Sequence, residues 1–250
     1  MSETTPHIET DSKRRSQLPI ITAILMIVGL AMVAAIYWNR NVKVDSVEFA
    51  GNYFTDTEQL TKAASVPFGV NPDSIDLEQI VHRLEALHYV KKATPYIEPN
   101  GDLNITITER KPLALLVQDA NRVYVDADGV RLPIMKGKTQ NLPLVYGFSA
   151  SLSRDTLKSA AFRQIRDLLV SAKTNKFGWA TISEVAYSPE EGVVALSQEN
   201  GVKLLFGEND FDTKFENWEA FYTEVIRVKG INKIQQVDLR FLNQVVTRES

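Results

Sequence analysis

The 250 residues of the chain include no cysteine. This absence excludes disulfide frameworks, thiolate zinc sites, iron–sulfur clusters and cysteine nucleophiles. It does not indicate a compartment, because a chain without thiols is compatible with oxidising and with reducing surroundings. A strong excess of charge is lacking too: 28 basic and 31 acidic residues give a net charge of −3. The composition therefore gives no reason to expect binding along a nucleic-acid backbone.

Complete catalytic motifs are also missing. Gly137-Lys138-Thr139 resembles the end of a P-loop but lacks the earlier glycine, so a surface turn is the favoured interpretation. Asp126 and Asp128 lack the further acidic ligands of a calcium loop, and a hairpin turn accounts for them. His82 and Glu85 are one helical turn apart, but no H-E-x-x-H motif is present, and His82 and His88 project from different faces of the helix. We therefore predict a protein that is not an enzyme and that binds no metal or other cofactor.

One long apolar run stands near the N-terminus. Residues 18–38 form a run of 21 residues without a charged side chain. A helix of this length measures about 31 Å at about 1.5 Å per residue, which matches a hydrocarbon core of about 30 Å. Three basic residues precede the run at 13–15, and Arg40 and Lys43 follow it. This bias, together with the large polar part after the run, predicts a cytoplasmic N-terminus and an exported C-terminal part.

Two alternatives to a membrane anchor fit the apolar run less well. A cleaved signal peptide usually has an apolar region of only about 7–15 residues, although Val33-Ala34-Ala35 is a weak cleavage site. A buried helix of a soluble core would need polar residues on one face, and the run has none. The sequence therefore predicts a cytoplasmic tail at residues 1–17 and a single transmembrane helix at residues 18–38.

The next segment, residues 39–111, has the pattern of a small mixed domain. A short alternating run before Gly51 predicts a strand, and two helical patterns follow, the second of them capped by Asp76. Residues 89–97 and 103–108 predict two strands joined by a turn at Asn100-Gly101. The predicted order is β-α-α-β-β.

The remaining segment, residues 112–250, predicts a second mixed domain. Its signals are an amphipathic helix at about 155–173, a hairpin around Asn200-Gly201, a helix containing Phe215 and Trp218, and a strand from Ile234 to Val246. We predict an α+β protein in which this second domain is built on an antiparallel sheet with helices and ends in an edge strand. Periodicity alone does not distinguish an edge strand from a central one.

Several strings in this order resemble one bacterial family. The β-α-α-β-β unit with Gly51-Asn52 resembles a POTRA domain, and residues 105–114 (ITITERKPLA) resemble the junction of the FtsQ/DivIB division proteins. The Asp128-Gly129 turn, Val237–Phe241 and Asn243–Val246 resemble the same family. The short tail and single anchor fit this likeness.

The resemblance implies a non-enzymatic divisome scaffold in the cytoplasmic membrane, concentrated at the division septum. It implies binding of an FtsB–FtsL pair outside that membrane, which links the pair to septal peptidoglycan synthesis, by addition of a strand at the C-terminal strand. Arg240 would be the charge partner of an acidic residue of FtsB. The residues implied in docking are Arg240, Phe241, Leu242, Asn243, Gln244 and Val245.

Two other functions fit the sequence less well. A POTRA-bearing chaperone or assembly factor for exported proteins would be expected to carry tandem POTRA units or a membrane barrel, and the sequence shows one such unit and no barrel strands. An anchored hydrolase would need a nucleophile or metal cluster, which the sequence does not present. A nucleic acid and a small-molecule substrate are not expected.

Overall fold

The computed structural model describes residues 18–153, 155–241 and 244–249. The predicted tail at 1–17 lies outside these residues. The first helix, α1, covers Leu18–Asn41, and the aliphatic side chains described in it are exposed. Over the fully described residues, no helix is both long enough and apolar enough to cross a membrane.

After α1 the chain forms a three-stranded sheet with two helices on one face. The elements are β1 Val47–Ala50, α2 Thr57–Ala64, α3 Leu77–Glu85, β2 Val90–Ile97 and β3 Leu103–Glu109, with a short 3-10 turn at Pro72–Ser74. The order in the sheet is β1-β3-β2, with β1 parallel and β2 antiparallel to β3. The predicted order β-α-α-β-β is confirmed.

A small core holds this first unit together. Leu60 and Ala64 of α2 and Ile80 and Leu84 of α3 are buried against the inner face of the sheet, which includes Ile105. Each fully buried leucine or isoleucine side chain contributes about 1.5–3 kcal/mol. Asp76 caps α3, because its carboxylate accepts the backbone N–H of Gln79 at 2.9 Å.

The second unit contains a nine-stranded sheet. Its strands are β4 Pro112–Gln118, β5 Asn121–Asp126, β6 Arg131–Leu132, β7 Leu144–Val145, β8 Ile182–Ser188, β9 Gly192–Ser197, β10 Lys203–Gly207, β11 Ile234–Asp238 and β12 Val246–Glu249. Their order is β12-β11-β10-β9-β8-β7-β4-β5-β6. The predicted hairpin is β9–β10, and Asn200 and Gly201 between the strands both have positive φ.

The prediction of an antiparallel sheet is wrong in part. The pairs β4–β7, β7–β8 and β10–β11 are parallel. A parallel connection needs a crossover. Helices supply it between β7 and β8 and between β10 and β11, whereas β5, β6 and a loop lie between β4 and β7. The helices α4 Ala160–Thr174 and α5 Lys176–Thr181 lead from β7 to β8. The helix α6 Phe211–Phe221, a π-helical turn at Tyr222–Ile226 and α7 Arg227–Lys229 lead from β10 to β11.

These helices cover one face of the nine-stranded sheet. Phe215 and Trp218 of α6 are fully buried, as the periodicity predicts. The indole N–H of Trp218 donates to Thr181 Oγ1 at 3.0 Å, so the one polar atom of this ring has a partner in the core. The hydroxyl of Ser159 accepts the N–H of Phe162 and caps α4. The helix therefore starts at Ala160, five residues after Asp155, where the sequence predicted its start.

A smaller cluster joins the two units. The ring of Phe54 stacks on Tyr89 at 4.3 Å between centroids, and both pack against Tyr124 and Leu132 of the second unit. The Tyr89 hydroxyl donates to the Pro133 carbonyl at 2.6 Å. Burial is the main cause that raises the pKa of Tyr89 far above the ordinary tyrosine value.

The junction also contains a group of ion pairs. Arg110 Nη1 donates to Asp126 at 2.8 Å and to Asp128 at 3.1 Å, and Lys91 pairs with Asp128 at 2.8 Å. The hydrogen bond from Lys91 lowers the pKa of Asp128. The two aspartates that a calcium loop would use are therefore acceptors for cations of the first unit, a role that the sequence did not reveal.

Candidate functional site: the C-terminal edge of the sheet

The end of the chain forms two strands, so the prediction of one strand from Ile234 to Val246 is wrong. The strand β11 ends at Asp238, and the chain returns through residues 239–245 to pair antiparallel with it as β12. Leu239 is fully buried, and its N–H bonds to the Leu205 carbonyl at 2.9 Å. This bond draws the chain onto β10 beyond the end of β11, where it turns.

Both edges of β11 are occupied. The N–H of Leu239 points towards β10, and the backbone N–H and C=O groups of successive residues alternate in direction along a strand. The backbone groups of Val237 therefore point towards β10, and those of Gln236 and Asp238 point towards β12. Gln236 lies opposite Arg248, and Asp238 lies opposite Val246. An added strand therefore has no free edge on β11.

At this end of the sheet, the edge is one strand further out, on β12. Since Val246 and Arg248 face β11, the alternation directs the N–H and C=O of Thr247 away from the sheet. All four residues of β12 are exposed, and in the described part of the chain β12 pairs with β11 alone. The strand thus presents an unpaired backbone row to solvent.

Arg240 is already engaged within the molecule. Its Nε and Nη2 donate to the two oxygens of Asp238 at 2.9 Å and 2.6 Å, and its backbone N–H donates to the same carboxylate. The stem of Arg240 lies on Gly207, where an added Cβ would stand 2.9 Å from Arg240 Cγ. About 36% of the Arg240 side chain is exposed. The guanidinium is thus held in one orientation with Nη1 free of Asp238.

The carboxylate of Asp238 is nearly enclosed, with 8% of its side chain exposed. Burial alone would raise the pKa of Asp238, but the hydrogen bonds and charge of Arg240 outweigh it and leave the pKa below its ordinary value. The ionised carboxylate is therefore favoured in the folded protein, and it closes the turn that leads from β11 to β12.

The other predicted docking residues lie in this connection. Phe241 is 44% exposed, Gln244 is exposed, and Val245 is half-buried against the core of the second unit. Leu242 and Asn243 are outside the described residues. The structure thus brings Arg240, Phe241, Gln244 and Val245 to the end of the sheet beside β12, but none of them is in a strand.

A turn with unusual backbone supports this region. Gly207, Asn209 and Asp210 all have positive φ at the end of β10. The nearly buried Lys214 holds the turn, because its Nζ donates to the carbonyls of Glu208 and Asn209 at 2.8 Å and 2.7 Å. Burial lowers the pKa of Lys214. Sequence reasoning missed this support, although Asn209-Asp210 is a pair that tolerates positive φ.

No group of three or more His, Cys, Asp or Glu side chains in the described ranges could hold a metal ion. The site offers backbone hydrogen bonds, an oriented guanidinium and one exposed aromatic ring. These are the means by which a protein binds a peptide strand.

The profile of a family described as FtsQ/DivIB, C-terminal related, matches residues 111–248. The chain belongs to the FtsQ/DivIB family. A second profile, the FtsQ-type POTRA domain, matches residues 42–110. The resemblance inferred from the sequence is confirmed, and membership of this family supports a role in the bacterial division machinery.

Curated relatives agree with this assignment. The cell division protein FtsQ of Rhodothermus marinus is 26% identical, with 98% of this chain and 91% of the relative covered. FtsQ of Salinibacter ruber is 25% identical, with 96% of each chain covered.

Among solved structures, the major extracytoplasmic domain of DivIB from Geobacillus stearothermophilus gives a TM-score of 0.33 at 16% identity, over 48% of this chain and 97% of that domain.

Proposed function

We propose that this FtsQ/DivIB chain is a non-enzymatic scaffold that binds an FtsB–FtsL pair outside the cytoplasmic membrane and connects it to septal peptidoglycan synthesis. The guest is a strand of the FtsB-like partner, which adds to the outer edge of β12. The unpaired backbone of β12 is the observation that carries the proposal, because exposed edges pair readily with another chain.

The docking residues implied by the resemblance take a supporting place in this geometry. A strand on β12 passes the β11–β12 connection, where Phe241 offers an exposed ring. Arg240 contributes through Nη1 while Asp238 retains the other two donors. Since an arginine carries five N–H donors, a partner carboxylate could share the guanidinium without displacing Asp238.

The membrane anchor is part of the same proposal. The helix α1 has 24 residues, and the first 21 of them, from Leu18 to Trp38, carry no charge. Apolar side chains of this helix such as Leu25, Met26 and Ile27 are more than 60% exposed. An exposed apolar helix needs an apolar environment around it. We propose that α1 crosses the cytoplasmic membrane with the short tail inside and places both folded units outside, at the septum.

A proline at the outward-facing position of β12 tests the docking edge. Thr247→Pro removes an N–H that the sheet itself does not use, and proline is tolerated at edge strands. We expect binding of the FtsB–FtsL pair to weaken at least about tenfold, as expected for loss of a backbone hydrogen bond and blocking of the edge. Affinity is measured with the full chain in detergent or nanodiscs.

Thr247→Val is the matched control, because it is β-branched and keeps the N–H. It should bind the pair as the unaltered chain does. Circular dichroism and the thermal midpoint establish that both variants fold. Equal affinities for the proline and valine variants, with both folded, would show that the partner does not add to β12.

A further inference from the structure

Three loops of the POTRA unit gather around the residues that follow α1. The N–H of Val44 donates to the Val70 carbonyl at 3.0 Å, and Gly69 donates to the Val44 carbonyl at 2.9 Å. On another side, an added Cβ on Gly101 would stand 2.1 Å from the Lys43 carbonyl oxygen. The chain is therefore fixed to the POTRA unit from Lys43 onward.

This attachment leaves little free linker. From Asn41, where α1 ends, to Val44 there are three residues, which span at most about 10 Å when extended. Val42 already lines a cavity of about 440 Å³ together with Asp73, Glu98 and Pro99. The loops at 66–70, 72–75 and 98–101 thus lie within about 10 Å of the point where the chain leaves α1.

Exposed aromatic rings are concentrated at this end. Three aromatic side chains of the POTRA unit are largely exposed: Tyr53 at 63%, Phe68 at 53% and Tyr96 at 61%. Phe68 precedes Gly69, which bonds to Val44. Tyr96 lies opposite Asn104 of β3. The neighbouring residue Leu103 donates its N–H to the carbonyl of Ser46, which follows shortly after α1 in the chain. Both rings are therefore at the end where the chain leaves α1.

Tyr53 is at the opposite end. Its N–H donates to the carboxylate of Glu109 at 2.7 Å. Glu109 ends β3, six residues from Leu103, which is about 20 Å along a strand. The POTRA unit thus offers an internal comparison between rings near α1 and a ring of equal exposure far from it.

We propose that the end of the POTRA unit nearest α1 rests on the bilayer, with Phe68 and Tyr96 in the headgroup layer. This inference rests on the proposed anchoring of α1. Aromatic rings favour that layer. The three acidic residues Asp45, Asp73 and Glu98 outnumber Arg40 and Lys43 in this part of the chain, and Asp73 and Glu98 line the cavity beside Val42. The net charge of this end therefore does not attract anionic lipid, and the contact is made by the rings. The partner is accordingly a neutral, zwitterionic lipid surface.

The chain has no cysteine, so one introduced thiol gives a unique labelling site. Phe68→Cys, Tyr96→Cys and Tyr53→Cys are labelled with bimane in the full chain, in phosphatidylcholine vesicles that contain doxyl lipids. We expect quenching about twofold or more stronger at 68 and 96 than at 53, because only the first two rings reach the headgroup layer. Adding phosphatidylglycerol should not change the quenching. Gly29→Cys reports on the anchor, since its side chain would have open space in α1.

Quenching at 29 without an excess at 68 and 96 over 53 would overturn the resting contact and leave the anchor intact. An absence of quenching at 29 would overturn the anchor, and this inference with it. A bimane at Asp73→Cys checks the part played by the natural rings. Its quenching should fall when Phe68→Ser and Tyr96→Ser are added, and an unchanged value would contradict their role.

Discussion

Two of the sheet edges in the molecule contrast with each other. The strand β2 is one edge of the POTRA sheet, whose other edge is β1, and β12 is one edge of the nine-stranded sheet, whose other edge is β6. Along β2, the outward N–H of Ala93 is taken by the Glu85 carboxylate at 3.1 Å, and the next residue of the same parity, Pro95, has no N–H. Along β12 no such device is present among the described residues. Unpaired backbone groups at an edge can pair with another chain unless they are blocked, so the comparison identifies β12 as the edge that can accept a guest strand.

The contrast also separates two interpretations of the POTRA unit. A chaperone that captured extended segments along β2 would need its outward donors, and the donor is occupied at Ala93 and missing at Pro95. A scaffold that docks its partner at the far end of the chain needs β2 to be closed, because a second open edge would pair with other copies. The closed edge thus supports the proposed scaffold.

Removal of β12 should give the largest effect. A chain without residues 244–250 loses the proposed docking edge but few buried side chains, since all of β12 is exposed. We expect binding of the FtsB–FtsL pair to weaken by about a hundredfold or more, which corresponds to about 2.7 kcal/mol. Isothermal titration with the full and shortened chains in detergent measures this difference.

The control replaces Arg248 and Glu249 by serine, which removes the charged side chains of β12 and keeps its backbone. If the backbone edge is what the partner reads, this variant binds within a few-fold of the unaltered chain. Full affinity of the shortened chain would show that the partner uses β11 or another surface, and the contrast between the two edges would then have no bearing on function.

Opening β2 should give an intermediate effect. Glu85→Ala frees the N–H of Ala93, and Pro95→Val restores a missing donor, so the double variant presents a continuous edge. We expect self-association in detergent to strengthen by about tenfold, as edge pairing predicts. Sedimentation velocity over a range of concentrations measures it.

Glu85→Gln combined with Pro95→Val is the matched variant, because the amide oxygen can still accept the N–H of Ala93. Its association should lie between those of the double variant and the unaltered chain. A double variant that stays monomeric would mean that occupied and missing donors are not what closes β2.

The sequence predicted the elements whose signals are local. The POTRA order follows from helical and alternating periodicity, and the β9–β10 hairpin follows from Asn200-Gly201. The break after Asp238 was not predictable, because residues 239–245 contain neither glycine nor proline, and the turn depends on the distant contact between Leu239 and Leu205. The two-residue strand β7, which makes two parallel pairs, is too short to give a periodic signal.

The candidate site was predicted only in its neighbourhood. Resemblance led to Arg240 and the residues after it, but whether an edge is free depends on which strands lie beside it, and sequence periodicity carries no such information. One signal was overlooked: Asp238 and Arg240 are two residues apart with opposite charges, a spacing that places side chains on one face of an extended chain. Their ion pair binds the arginine internally.

The smallest expected effect concerns the ion pair between Asp238 and Arg240. The carboxylate of Asp238 supports the open edge at β12, just as the carboxylate of Glu85 closes the edge at β2. Asp238→Asn should lower the free energy of unfolding by about 1–2 kcal/mol at neutral pH, less than for a fully buried pair because Arg240 is partly exposed. The folded-state pKa of Asp238 lies below its ordinary value near 3.8, so its contribution is complete above that pH and is lost as the pH falls through the folded value. The two chains should therefore converge in stability in acid.

Glu249→Gln, which changes an exposed carboxylate on β12, should leave the acid dependence unaltered. A deficit for Asp238→Asn that persists unchanged at low pH would show that Arg240 does not stabilise the ionised carboxylate, and the support of the open edge would then come from the packing of Leu239 and Val245.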